Sequence, residues 1–237
     1  LGGRQGGEPH DMPTLNWLKQ EFGYGYDSGN VVSLVPGRVR FAEERRSGGS
    51  YRRVYKKAIV PYVRPDAKVL ELGPGKGSWS RAILSQIPQG ELHTVDFQDV
   101  SQWLDPPAFG GRLVCHHVHD NTFSGLPENY FDFFWSFGVL CHNEESAIHE
   151  ILLCARRTMK RGALSVHQYG DWNKLDRFGW GRGGVPETFK TQPDQEIWWP
   201  RNDQALMANL AAKTGWEVVS PDLDLLERDS IILLRNP

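Results

Sequence analysis

Cysteine is scarce in this chain: Cys115, Cys141 and Cys154 are the only three in 237 residues. An odd number without C-x-x-C spacing implies neither a disulfide framework nor a zinc knuckle, so a reducing, cytoplasmic setting is expected. Long hydrophobic runs are lacking too. No stretch approaches the ~18–20 apolar residues of a membrane span, and no secretory signal is visible. Charge of one sign is also missing. Lys and Arg number 27 against 29 Asp and Glu, a formal net charge of −2 that gives no global reason to expect nucleic acid. No internal repeat or low-complexity block occurs. Residues 1–7 are Gly-rich, lack an initiator Met and read as a tag remnant or frayed end. The length suits one α/β domain with a sizeable core, or two small ones.

What is present starts at residues 68–79, Lys-Val-Leu-Glu-Leu-Gly-Pro-Gly-Lys-Gly-Ser-Trp. Val69 to Leu72 reads as a buried strand carrying one acid, Glu71. It breaks into Gly73, Gly75 and Gly77 and then into a helix over 78–86. Strand, glycine turn and helix form a nucleotide-cofactor crevice, because glycine lets backbone approach a ligand that side chains would exclude. A dinucleotide fingerprint requires G-x-G-x-x-G. Counted from Gly73, its last position is Ser78, and the third glycine comes one residue early.

Further along, strands and helices alternate as a parallel sheet requires. A basic helix over 51–63 precedes strands at 68–72, 91–95, 113–117 and 131–137. The last of these is almost wholly apolar, as a strand covered on both faces should be. An amphipathic helix over 144–159 is closed by Lys160-Arg161-Gly162, with positive charge and a glycine at its C-terminal end. A fifth strand covers 163–167, a helix 203–214, and a terminal hairpin 216–220 and 230–235.

The pattern E-x-G-x-G-x-G resembles motif I of the class I, Rossmann-like S-adenosylmethionine (SAM) methyltransferases of the type 11/12 kind. The stretch His119 to Phe123 with Leu126-Pro127 and Phe131-Asp132 is similar to the family's "D-a-x-x-L-P…F-D". Ser136 to His142 is similar to its "S-x-x-V-L-x-H". Arg161 and Ala163 depart from the family's "L-K-P-G-G" turn. The resemblance runs over about 68–167 and the last strands. It implies a Rossmann-like α/β fold: a seven-stranded, mostly parallel sheet with helices on both faces and an antiparallel C-terminal strand. It also implies SAM as cofactor and S-adenosylhomocysteine as product. Gly73, Gly75 and Gly77 would lie under the methionine part, with Glu71 facing the amino-acid tail. Asp96 would take the ribose hydroxyls, with Phe97 and Phe137 lining the cofactor and Asp120 and Asn121 at the adenine. Residues 1–63 are expected to form an N-terminal segment and basic lid helix. Residues 64–237 would form the methyltransferase domain, with 168–203 as an acceptor-binding lid.

Methyl transfer needs alignment, exclusion of water and removal of the acceptor's proton where it has one. His142 and His167 stand at the carboxyl ends of the fourth and fifth strands, where ligands sit in open α/β sheets. Either imidazole suits a general base, and Asp171 could orient the ring or the substrate. Arg38 to Lys57 holds eight basic residues against Glu43 and Glu44, enough to seat a phosphate or carboxylate through groups such as Arg52. The 168–203 segment is rich in aromatics and polar groups. Tyr169, Trp172, Trp180, Arg182 and Trp199 are expected to contact a polyhydroxylated acceptor, although the same aromatics suit a satellite core. His116, His117 and His119 alternate across a strand and are not expected to bind metal.

O-methylation of a small polar acceptor, a sugar or glycan-like hydroxyl, is the expected reaction, and no membrane or nucleic-acid partner is expected. The alternatives are N-methylation of a small metabolite, a phosphorylated or RNA substrate, and a SAM-binding protein without turnover.

Overall fold

The computed structural model describes residues 26–237. Residues 1–7, read above as a frayed end, and the first part of the 1–63 segment lie outside the described residues. Strands β1 (Lys68–Leu72), β2 (Glu91–Asp96), β3 (Leu113–His117), β4 (Phe131–Ser136), β5 (Met159–Gly170), β6 (Glu217–Ser220) and β7 (Asp229–Arg235) form one sheet in the order β3-β2-β1-β4-β5-β7-β6. The pairs among β1 to β5 are parallel, while β7 runs antiparallel to both β5 and β6. The order reverses direction between β1 and β4. In open α/β sheets, loops splay apart at such a point and leave a crevice at the carboxyl ends of the strands.

The helices are α1 (Arg38–Ser47), α2 (Tyr51–Val54, continued by a π turn Tyr55–Ile59), α3 (Ser78–Gln86), α4 (Ser101–Leu104), α5 (Glu145–Arg156), α6 (Trp172–Phe178), α7 (Trp180–Gly183) and α8 (Gln204–Lys213). They cover both faces of the sheet. On one face Val69, Phe133 and Trp135 pack with Val54, Ile59 and Ile83 of α2, its π turn and α3. On the other, Leu70, Phe131 and Phe134 pack with Ile151, Leu152 and Leu210 of α5 and α8. Alternate residues of β4 thus serve two cores, which explains its unbroken apolar run.

One boundary differs from expectation. The helix over 144–159 stops at Arg156, and Met159 to Gly162 belong to β5 rather than to a helix cap. Met159 pairs with Phe131 and Leu164 with Phe133, so the residues between form a bulge. Asn236 holds it from the far end of the chain. Its Nδ2 donates to the Met159 and Lys160 carbonyls at 3.0 and 3.1 Å, and its own carbonyl accepts from Gly162 N at 2.7 Å. Asn236→Ala should therefore cost about 1–3 kcal/mol in chemical denaturation, because buried carbonyls lose their donor. An unchanged unfolding midpoint would show that the bulge holds itself.

Candidate functional site

At the end of β1, Gly73, Gly75 and Gly77 adopt φ of +68°, +53° and +80°. A Cβ at these positions would collide with Val139, with the Tyr26 carbonyl and with Leu104, respectively. Conformation and space both demand glycine there. Glu71 does not face the crevice as expected. It is fully buried beneath the turn and accepts from Ser80 Oγ of α3 at 2.5 Å. Burial pushes its carboxyl up to about 8 despite that hydrogen bond. The acid therefore ties β1 to α3 from inside.

Asp96 closes β2 beside the turn. Its Oδ1 accepts from Gln98 N at 2.9 Å, and the Gly75 N–H lies near enough to act on its carboxylate electrostatically. Burial pushes Asp96 up to about 6 against those N–H groups. Phe97 follows, half-buried, its carbonyl accepting from His117 Nε2 at 3.0 Å. Asp120 is exposed and accepts from Thr122 N and Oγ1 at 2.9 and 2.6 Å, bonds that hold it below the usual carboxylate range. The Asn121 side chain is buried and donates to Glu150 Oε2 at 3.2 Å. Phe137 spends its ring on core packing against Tyr51, Trp79 and Trp135.

The N-terminal segment crosses this crevice, and sequence reasoning missed how it does so. The Tyr26 carbonyl accepts from Lys76 N at 2.9 Å. Ser78 Oγ donates to Asp27 Oδ1 at 2.7 Å and accepts from Ser28 N at 3.1 Å, while Trp79 Nε1 donates to Ser28 Oγ at 3.1 Å. Tyr26 Oη donates to Glu43 Oε2 of α1 at 2.8 Å. Such contacts span about fifty residues and leave no local signal. Gln168 was missed as well. It is buried in β5 and takes the Gly138 N–H on Oε1 at 2.8 Å, fixing the loop after β4.

Several expected site residues prove structural. His167 lies inside the sheet, fully buried. Its Nδ1 is 2.8 Å from Ser136 Oγ, its Nε2 hydrogen-bonds Ser165 Oγ, and its ring packs edge-on to Phe134. Both nitrogens are engaged, and burial depresses its pKa to about 3, so it is no base for an acceptor. Asp171 caps α6 through Asn173 N and Lys174 N, and its Oδ2 accepts from Ser230 Oγ and Gln204 Nε2. Tyr169 is buried and donates to the Pro221 carbonyl. Arg52 Nε donates to the Val32 carbonyl at 3.2 Å, bracing the lid against itself.

The 168–203 segment is more ordered than an irregular loop. It holds the end of β5, then α6, α7 and the short turns Glu187–Thr191 and Asp194–Glu196. Trp180 and Trp199 are buried with Leu175, Val185, Phe189 and Ile197 in a third core, and Trp172 packs against it. The satellite-core alternative therefore describes Trp180 and Trp199, with Trp172 half-buried at its edge. Arg182 remains exposed, 3.9 Å above the Phe178 ring. His142 sits on the 3-10 turn Leu140–His142 after β4, its Nδ1 2.7 Å from the Trp198 carbonyl. That bond places the proton on Nδ1 and leaves the lone pair on Nε2. Burial lowers its pKa to about 4. Among the described residues no group of three or more His, Cys, Asp or Glu gathers to hold a metal ion.

His167 carries a pH signature of its own. A folded pKa near 3 against an unfolded value near 6.5 means the unfolded chain takes the proton first as pH falls. Its stabilising share is whole above pH 6.5 and is lost as pH falls toward 3. The wild type should therefore lose about 2 kcal/mol relative to His167→Gln between pH 6.5 and 5, in denaturation series run on both. Parallel curves would place the ring in a solvated site.

The fold has many counterparts. A SAM-dependent methyltransferase from Aquifex aeolicus aligns at 15% identity over 77% of this chain and 89% of its own, TM-score 0.56. A geranyl diphosphate methyltransferase, solved with its substrate and sinefungin, aligns at 11% over 90% of this chain and 89% of its own, TM-score 0.58. A Pyrococcus horikoshii protein aligns at 13% over 89% of this chain and 99% of its own, TM-score 0.61. In sequence, the chain is 28% identical over 109 residues to a reducing polyketide synthase of Aspergillus oryzae. That match covers 46% of this chain and 4% of the synthase's length. No family model matches. Sheet order, the antiparallel β7 and the glycine turn at the switch point agree in giving this chain the Rossmann-like fold of the class I SAM-dependent methyltransferases.

Proposed function

We propose that the protein is a SAM-dependent methyltransferase acting on a small polar acceptor, with a sugar or glycan-like hydroxyl as the preferred class. The observation that carries the reading is the left-handed turn at Gly73, Gly75 and Gly77 at the β1/β4 switch point, with Asp96 beside it at the end of β2. Glycines leave the main chain without side chains of its own, which suits a ligand lying against the backbone. Asp96 offers carboxylate oxygens to a ribose diol, while Phe97 and the backbone at Asn121 offer surfaces for adenine. Bound there, SAM would supply an electrophilic methyl group. The chain's part is to hold the acceptor in line and keep water out.

In this reading the segment beginning at Tyr26 acts as the cover, and its contacts with the turn support a lid ahead of the 64–237 domain. His142 is the base candidate left after His167 is removed, standing on the turn after β4 at the carboxyl end of the sheet. A reducing, cytoplasmic compartment suits the three free cysteines. Among the described residues no helix is long and apolar enough to cross a membrane.

Calorimetry with SAM and S-adenosylhomocysteine should show binding of both, lost in Asp96→Ala. Absence of binding to the wild type would end the methyltransferase reading. His142→Ala should keep cofactor affinity and lose turnover by about 10²–10⁴-fold, the range for a removed general base. Undiminished turnover would take His142 out of the chemistry. A panel of sugars, nucleotide sugars and amines scored with labelled SAM tests the acceptor, and label on nitrogen alone would overturn the hydroxyl assignment.

A further inference from the structure

A groove of about 510 Å³ opens between the lid and the insertion, and none of the cofactor residues lines it. Its walls are the Gly48-Gly49 turn with Arg53 of α2, the α6 face carrying Lys174 and Arg177, Arg182 of α7, and the β6–β7 loop at 224–227. The walls are built to fit. A Cβ on Gly48 would stand 2.6 Å from Phe178 Cε2 and from Glu227 Cβ. Backbone bonds join lid and loop, from Glu227 N to the Gly48 carbonyl at 3.3 Å and from Arg228 N to the Ser47 carbonyl at 3.1 Å.

Four cationic side chains face this space, and the structure neutralises only part of their charge. Lys174 is committed to Asp222 at 2.6 Å in a buried pair and lies 3.7 Å from the exposed Asp224, which also lines the groove. Arg182 lies 3.7 Å from Glu227, with both side chains more than 60% exposed, a contact that solvent screens and a ligand can displace. Arg53 and Arg177 are exposed and carry no ion pair among the described residues. Two guanidiniums on separate elements, with a third that can be freed, suit an anion whose oxygens point in several directions. One guanidinium already satisfies a planar carboxylate in bidentate fashion, whereas a tetrahedral phosphate offers further edges. The volume falls within the ~300–1,000 Å³ of small-molecule sites and exceeds what a bare anion needs.

The geometry points to a phosphate seat: this groove binds the phosphate or diphosphate of a small phosphorylated molecule, and the seat does not depend on the methyltransferase reading. An anion held by Arg53 of the lid and Arg177 of the insertion would clamp the two together.

The test is calorimetry with pyrophosphate and phenyl phosphate on wild type, Arg53→Gln, Arg177→Gln and the double variant, with S-adenosylhomocysteine titrated into each. Both arginines are exposed and unpaired, so the variants should melt with the wild type. Both phosphates should bind the wild type and weaken by about 10–100-fold in the double variant, the loss expected for charge-assisted hydrogen bonds. S-adenosylhomocysteine should bind all four proteins alike. Absent phosphate binding, or binding indifferent to both substitutions, overturns the seat while leaving the methyltransferase reading intact. Failure of S-adenosylhomocysteine alone sinks that reading and leaves the seat standing. A 5′-phosphorylated oligonucleotide bound far more tightly than a mononucleotide through the same arginines would overturn the small-molecule assignment in favour of RNA.

Discussion

The site depends on one constraint: the backbone between β1 and α3 must turn through three left-handed residues with no room for a Cβ. Each glycine is crowded by a different part of the fold. Val139 comes from the loop after β4, Leu104 from α4, and the Tyr26 carbonyl from the N-terminal segment. The turn is thus the place where the sheet, the β2 side and the lid converge. Its conformation is set from beneath by Glu71, which crosses from β1 to Ser80 of α3. A fully buried carboxyl is costly when ionised, and the raised pKa of about 8 records that cost. Accepting a hydrogen bond from the first turns of α3 offsets part of it and locks the helix to the strand that feeds it.

The glycines of the turn carry no side chains, and three acids stand around it: Asp96 at the end of β2, Asp120 in the loop before β4 and Asp27 in the N-terminal segment. Each of these acids is itself held by backbone or hydroxyl donors, Asp96 by Gln98 N, Asp120 by Thr122 and Asp27 by Gly29 N and Ser78. Oriented carboxylates lose less freedom on binding than mobile ones, so affinity is prepared before a ligand arrives.

Most of the sheet was legible because its strands are short apolar runs bounded by turn residues, and β1, β3 and α3 begin and end where the pattern says. Failures arose where a local signal had two meanings. Lys160-Arg161-Gly162 reads as the basic, glycine-closed end of a helix, yet Asn236, more than seventy residues away, recruits those residues into β5. The same error of extent misplaced His167. With β5 ended at 167 the imidazole stands at a ligand-facing edge; with β5 running to Gly170 it lies between Ser136 and Ser165 inside the sheet. The tryptophans of the insertion carry both apolar area and a polar N–H, and composition alone cannot say which a fold will use. Here both Trp180 and Trp199 bury their area, since the insertion needs a core of its own, and Trp180 Nε1 also donates to Asp176 Oδ1 at 2.6 Å.

How that insertion is joined to the lid comes down largely to Arg228. Its guanidinium pairs with the fully buried Asp229 at the start of β7, donates to the Gly183 carbonyl of α7 at 2.8 Å, and stacks 4.6 Å from the Trp199 ring. Its backbone N–H meanwhile donates to Ser47 at the end of α1. One residue therefore contacts the sheet, both parts of the insertion and the lid. A buried ion pair contributes little net stability beside an apolar core of equal volume, but removing one partner strands the other charge. The pair is better understood as fixing position. It sets the β6–β7 loop at one height above the sheet, and lid and insertion each take their place against that loop. The groove between them thereby inherits a defined shape, although its two walls come from sequence segments more than a hundred residues apart.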